Sequence, residues 1–154
     1  MTSEDIYQAF YAEYAQQLAF LHSHSYTGNP LACSAALATL DLFAQDDVLA
    51  NNRRLALSMA ESVQDLHDHP HVAEIRQTGM ILAIEMIKNK ASREAYPWQE
   101  RRGLKVYQHG LHQGVLLRPL GNVVYFMPPY LINDEEIQLM ARTAIDGIHL
   151  ACQD

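Results

Sequence analysis

Apolar positions along the chain change period more than once, and each change marks an element boundary. From Ser3 to about Leu21, Ile6, Phe10, Tyr14, Leu18 and Leu21 recur at three- and four-residue steps, which predicts a helix with a capping signal at Thr2 and Asp5. A polar stretch from His22 to Asn29 breaks that stripe. Asn29-Pro30 then predicts a new helix start, since Asn can cap and Pro loses no needed donor at the first helical position. This second helix, to about Phe43, is rich in alanine (Ala32, Ala35, Ala36, Ala38), so close packing and burial are expected. Asp46 or Asp47 should cap a third helix to about Leu66, with Val48, Leu55, Met59 and Val63 inward.

From Val72 the period shortens. Val72–Gln77 and Met80–Ile87 predict two strands across Thr78-Gly79. The second is nearly continuous in apolar residues, which suits a strand covered on both faces. Helical spacing returns from Trp98 to about His112 and stops at Gly114. A strand pair is expected at Val115–Arg118 and Val123–Phe126, with Pro128-Pro129 ending the sheet. Asn133 with Glu136 forms a capping box for a last helix through Ile137, Met140, Ala144 and Ile148. The expected fold is α/β, with an α+β small domain in which helices flank a small, mostly antiparallel sheet.

Composition narrows the function classes. The 154 residues are 49% hydrophobic and 19% charged, enough for one real core and unlike a disordered chain. Eighteen acidic residues against 11 basic ones give a net charge of -7, which argues against nucleic acid or an anionic membrane as partner. No apolar run reaches the roughly 20 residues of a membrane span, and MTSEDIYQAF lacks the order of a signal peptide. With only Cys33 and Cys152, far apart, a reducing cytoplasm is the expected location.

Several residues could carry chemistry. The stretch His22 to Pro30 places hydroxyls and backbone N–H groups at a helix N-terminus, where a phosphate is favoured; an ordinary polar helix entry fits the same residues. Arg118 ends a strand and needs a carboxylate or phosphate, which a structural salt bridge could equally supply. Tyr125, Met127 and Tyr130 lie just beyond, as packing or as site walls. His67, His69 and His71 fit no established zinc spacing and read as a solvated connector, so no metal is assigned. Cys33, among alanines and without an adjacent base, reads as buried and inert.

Two segments together resemble one family. His22-Ser23-His24-Ser25-Tyr26-Thr27-Gly28-Asn29-Pro30-Leu31-Ala32-Cys33 is similar to a hallmark stretch of class III pyridoxal-phosphate aminotransferases. Arg118 to Tyr130 carries R-P-x-G-x-x-x-Y-x-M-P-P-Y, a pattern specific within that class. The resemblance covers essentially the whole chain. It implies the C-terminal part of a fold type I transferase, with residues 1–45 ending the large domain and residues 46–154 forming the small one. It also implies pyridoxal 5'-phosphate as cofactor and a homodimer with active sites at the subunit interface. The implied reaction moves an amino group from S-adenosylmethionine to 8-amino-7-oxononanoate, giving 7,8-diaminononanoate for biotin synthesis.

By the same resemblance, Ser25 contacts the cofactor phosphate of the neighbouring subunit, with Tyr26 and Thr27 in the same wall. Arg118 would hold the carboxylate of the keto substrate, and Tyr125 would line the amino-donor site. The family's Schiff-base lysine lies in an S-K-G-x-x-G-G type segment upstream of the helix that begins here near Ser3. Lys88 and Lys90 sit in a polar connector and Lys105 on an amphipathic helix, so none has that setting and no catalytic residue is assigned. The chain is therefore not expected to be active alone. Another class III aminotransferase acting on an ω-amino acid, a non-catalytic α+β binding module and a merely structural domain stay open as alternatives.

Overall fold

The computed structural model describes residues 2–21, 24–25 and 27–153. The chain divides into two units, Met1–Leu42 and Phe43–Asp154. In the first, Ser3 rather than Thr2 caps α1 (Glu4–Phe10), its hydroxyl accepting from the Ile6 N–H. The helix ends well before Leu21: Tyr11 turns extended, a 3-10 turn follows at Tyr14–Gln16, and Gln17 takes φ 53°. All of α1 is exposed, and a helix this short has little stability without a packed face.

The second helix, α2 (Pro30–Gln45), starts as expected. The Asn29 Oδ1 accepts from the N–H groups of Leu31 and Ala32, at 3.0 and 3.2 Å. Its alanine-rich surface is exposed rather than buried, Cys33 included, because small side chains permit close packing only where a facing surface is supplied.

In the second unit, Asp47 caps α3 (Val48–Glu61), whose Leu55 and Met59 are fully buried while Val48 is only half-buried. The helix stops short of Leu66, and a 3-10 turn over Gln64–Asp68 keeps Leu66 in the core. Four strands follow: β1 (Val72–Thr78), β2 (Ile81–Met86), β3 (Arg118–Leu120) and β4 (Val123–Phe126). They form one sheet in the order β1-β2-β4-β3, every neighbouring pair antiparallel. Val115–Leu117 lie before β3 rather than in it. Beyond the turn at Trp98–Glu100, α4 (Arg102–His112) begins later than Trp98.

The sheet is covered on one face, not two. Leu82, Ile84 and Met86 of β2 are buried, whereas Ile81 is 46% exposed and Glu85 is partly open. Val124 and Phe126 of β4 join the buried face, and α3, α4 and α5 (Asp134–Cys152) supply Met59, Val106, Ile137 and Ile148 against it. The outcome is a helix layer on one side of a small antiparallel sheet, the α+β arrangement expected.

Polar ties fix the helices to each other. At the start of α5, the Asp134 carboxylate accepts from Arg54 Nη1 at 2.7 Å and from the Ser58 hydroxyl at 2.9 Å, which joins α3 to α5. The Arg54 guanidinium, then Ser58, hold that carboxyl below the usual carboxylate range. At the other end, the buried Arg102 lies over the Tyr96 ring, 4.5 Å from its centroid, and donates to the Ala151 carbonyl at 2.6 Å.

Two outcomes follow for stability. Asn133 Oδ1 accepts from Glu136 N–H and Glu136 Oε2 accepts from Asn133 N–H, both at 2.9 Å. Asn133→Ala should therefore lower unfolding free energy by about 1 kcal/mol in urea titrations. His69 is held below its ordinary value of 6.5 by burial first, then by His149, His71 and Lys90. Its Nδ1 also accepts the His71 N–H at 3.1 Å, a role that protonation there removes. The unfolded chain then binds more protons than the folded one, so stability is full above pH 6.5 and declines as pH falls toward the lowered pKa. His69→Asn should flatten that decline; an unchanged slope between the two proteins would assign the proton uptake elsewhere.

Candidate active-site residues

Strand pairing decides what the open face of the sheet presents. Directly opposed residues of antiparallel strands project to the same face. Arg76 pairs with Ala83, Ala83 with Tyr125, and Tyr125 with Arg118, so these four residues form one row across all four strands. Val124 and Phe126 flank Tyr125 in sequence and are buried, which sets Tyr125 and Arg118 on the side away from the core. Arg118 and Tyr125, the two substrate-binding candidates, are thereby cross-strand neighbours, with Cβ atoms about 4.5–5.5 Å apart by sheet geometry.

The two arginines of this row differ in their partners. Arg76 is neutralised by Glu74 and by Glu85, which also hold its guanidinium charged. Arg118 is exposed and makes no hydrogen bond or ion pair among the described residues. The structural salt bridge that its sequence setting allowed is not formed here. Ala83, between Arg76 and Tyr125, is too small to fill the row, so a ligand can approach from the open face.

A groove of about 640 Å³ opens beside this pair, within the 300–1,000 Å³ usual for small-ligand sites. Arg118 and Tyr125 line it together with Leu117, Met127, Pro128 and the first turns of α5. Its walls are mainly apolar. Glu136, on the α5 side, is the acidic residue of the lining, and its carboxylate is already engaged in the helix cap. The groove thus combines an uncommitted cation and a phenol with an apolar wall, an arrangement suited to a carboxylate on a largely aliphatic body. Spacing alone does not single out Leu139 and Met140 of the wall; their signal is only the helical period of α5.

The loop before α2 carries the cofactor candidates. Ser25 is exposed, and its hydroxyl has no partner among the described residues. Thr27 is turned back on its own loop, its Oγ1 accepting from the His24 N–H at 3.1 Å and its N–H donating to the His24 carbonyl at 3.0 Å. Tyr26, with His22 and Ser23, lies outside the described residues. The free helix N–H groups expected here are not free, since the Asn29 side chain takes those of Leu31 and Ala32. Of the donors proposed for a phosphate, the Ser25 and Thr27 hydroxyl hydrogens therefore remain. They fit one edge of a pyridoxal 5'-phosphate site and no more.

The lysines do not complete it. Lys88 Nζ meets Glu94 Oε1 at 2.6 Å, Lys90 Nζ donates to the His67 carbonyl at 2.6 Å, and Lys105 is exposed on α4. None lines the groove beside Arg118 and Tyr125. His69 packs between His71 and His149, ring centroids 5.9 and 5.0 Å away, and no group of His, Cys, Asp and Glu among the described residues is arranged to hold a metal. Nor is any described helix long and apolar enough to cross a membrane.

Comparison with known proteins places this geometry. The chain is 39% identical over 149 residues to the adenosylmethionine-8-amino-7-oxononanoate aminotransferase of Geobacter sulfurreducens, covering 97% of this chain and 33% of that protein. The crystal structure of the enzyme of that name from Methanocaldococcus jannaschii superposes with a TM-score of 0.87 at 34% identity, over 99% of this chain and 35% of that one. An omega transaminase from Pseudomonas jessenii, solved in complex with PMP, gives a TM-score of 0.79 at 25% identity, over 89% and 30% of the two chains. The chain thus spans about a third of the length of these relatives. The family profile for aminotransferase class-III matches residues 1–148, and the chain belongs to the class-III aminotransferase family.

Proposed function

We propose that this chain is the C-terminal portion of an enzyme that moves an amino group from S-adenosylmethionine to 8-amino-7-oxononanoate, giving 7,8-diaminononanoate in biotin synthesis. The observation that carries the reading is Arg118, a guanidinium with no carboxylate partner among the described residues, beside Tyr125 and an apolar groove. Relatives bearing that enzyme's name at 39% identity support the choice of substrates. In this reading residues 1–45 end the large domain, residues 46–154 form the small domain, and the complete enzyme works as a cytoplasmic homodimer.

Each residue has a separate task. Arg118 binds the keto substrate's carboxylate, where its planar fork can offer two parallel hydrogen bonds. The apolar wall of Leu117 and Met140 excludes water from the chain of methylenes behind that carboxylate. Tyr125 lines the space for the amino donor. Ser25, with Tyr26 and Thr27 beside it, contributes to holding the phosphate of pyridoxal 5'-phosphate. When bound, that cofactor supplies the electron sink of transamination, on a lysine that these 154 residues do not supply. An ω-amino acid transaminase is the competing reading, favoured by the TM-score of 0.79 to one; the Met127-Pro128-Pro129-Tyr130 run argues against it.

Both roles are measurable in a full-length class-III enzyme carrying this segment. Arg118→Ala should raise the keto substrate's KM roughly 10- to 100-fold, the equivalent of losing about 1.5–3 kcal/mol in bonds to a charged group, with cofactor affinity little changed. An unchanged KM would sink the carboxylate assignment. Ser25→Ala should speed cofactor loss on dialysis about fivefold, as expected for one hydrogen bond of about 1 kcal/mol. Retention equal to wild type would count against the phosphate role.

A further inference from the structure

Arg118 sits on the least secured strand of the sheet. β3 is three residues long and lies at the sheet edge, paired with β4 alone. Tyr125, by contrast, is held on both sides, by Ala83 of β2 and by Arg118 of β3. Something other than ladder pairing must fix where the guanidinium stands.

The β3–β4 turn is fastened at three points. Gly121 takes φ +61°, a conformation that L side chains rarely adopt, and lets the chain reverse. Asn122 is tied twice: its Nδ2 donates to the Tyr96 carbonyl at 2.9 Å, and its own carbonyl accepts the Met86 N–H at 2.9 Å. Beneath the turn, the first residues of α4 come so close that a Cβ on Gly103 would meet Pro119 Cβ at 2.7 Å and press on the Gly121 carbonyl oxygen. Gly103 is buried, and Pro119 directly follows Arg118. Tyr96 is itself pinned, 5% exposed beneath the Arg102 guanidinium.

We propose that Gly103 and Asn122 are positioning residues for carboxylate binding: the α4 N-terminus and the Tyr96 carbonyl form a seat that fixes the β3–β4 turn and, through it, Arg118. The inference rests on the reading of Arg118 as the carboxylate clamp. The seat acts selectively. A turn lifted from α4 carries the edge strand with it, while β4 stays registered against β2 and Tyr125 stays in place. The acceptor half of the reaction should suffer and the donor half should not.

The test uses a full-length class-III enzyme carrying this segment, with the two half-reactions followed separately by the cofactor's absorbance. Asn122→Asp sets a carboxylate oxygen against the Tyr96 carbonyl, and Gly103→Ala inserts the offending methyl. Each should raise the keto acid's KM about fivefold or more, the loss expected when a hydrogen bond or a close contact is broken, and leave the rate with the amino donor within about twofold. Asn122→Ala, which removes the donor without adding charge, is the milder variant should either of the others fail to fold, and it should shift KM in the same direction. A folded variant with unchanged KM, or one in which both half-reactions fall by the same factor, overturns the seat. Arg118→Ala is run beside them. A rise in KM there without one in the seat variants overturns the seat alone, whereas no rise with Arg118→Ala overturns the carboxylate reading and the seat together.

Discussion

The second unit rests on sealing one face of a four-stranded sheet with helices. Leu82, Ile84, Val124 and Phe126 are all at or below 1% exposure, packed against Leu55, Met59, Ile137 and Ile148. At roughly 25 cal/mol per Å² of apolar surface, such burial is the largest favourable contribution in the unit. It also determines the chemistry, because pleated strands alternate sides. Once Val124 and Phe126 face the helices, Tyr125 must face away, and its partner Arg118 with it. A register slip of one residue would bury the guanidinium and expose the phenyl ring, so the core enforces the row that the proposed site uses.

The segment Arg118 to Asn122 shows how local rules are spent on one purpose. Proline cannot donate to a ladder, and Pro119 is tolerated because β3 is an edge strand. The residue before a proline is restricted to extended backbone, so Pro119 also stiffens Arg118. Gly121 supplies the positive φ, and Asn122 supplies a side-chain donor that leaves its carbonyl free for Met86. An edge strand of three residues is otherwise a poor platform for a charged ligand contact.

Elements carried by nearby residues were legible in the sequence, and elements carried by distant ones were not. The capping box of Asn133 and Glu136, the Asn29-Pro30 helix start and the hairpin of β1 and β2 all depend on spacings of a few residues, whereas β3 begins at Arg118, where the apolar pattern ends it. The apolar run of β2 points to cover on both faces, and only one is covered: Ile81 belongs to the run by composition, yet its side stays open. The same information is missing for α2, where alanines imply burial and the helix is exposed. The apolar stripe runs to Leu21 but α1 ends at Phe10, since a stripe stabilises a helix only through the surface it covers. The candidate pair Arg118 and Tyr125 could be named from a motif. That they stand side by side follows from register, and that Arg76 takes acidic partners while Arg118 takes none among the described residues follows from the neighbours the sheet brings to each.

Exposure limits what Arg118 can contribute in this chain by itself. An ion pair formed in water is worth about 0–1 kcal/mol, because solvent screens the charges and two flexible groups must be ordered. The tighter hold required of the proposed substrate clamp needs the guanidinium taken partly out of water, where bonds to charge are worth about 1.5–3 kcal/mol. The sheet offers no cover on that face, and the small Ala83 leaves the row open. The structure of the M. jannaschii relative is nearly three times as long as this chain, which matches 35% of it. In the proposed enzyme it is the remainder that must close over the row, and the same remainder must bring the lysine. Under the proposed assignment the division is physical as well as chemical: this part orients the carboxylate, and selectivity for it depends on a surface that dries the contact.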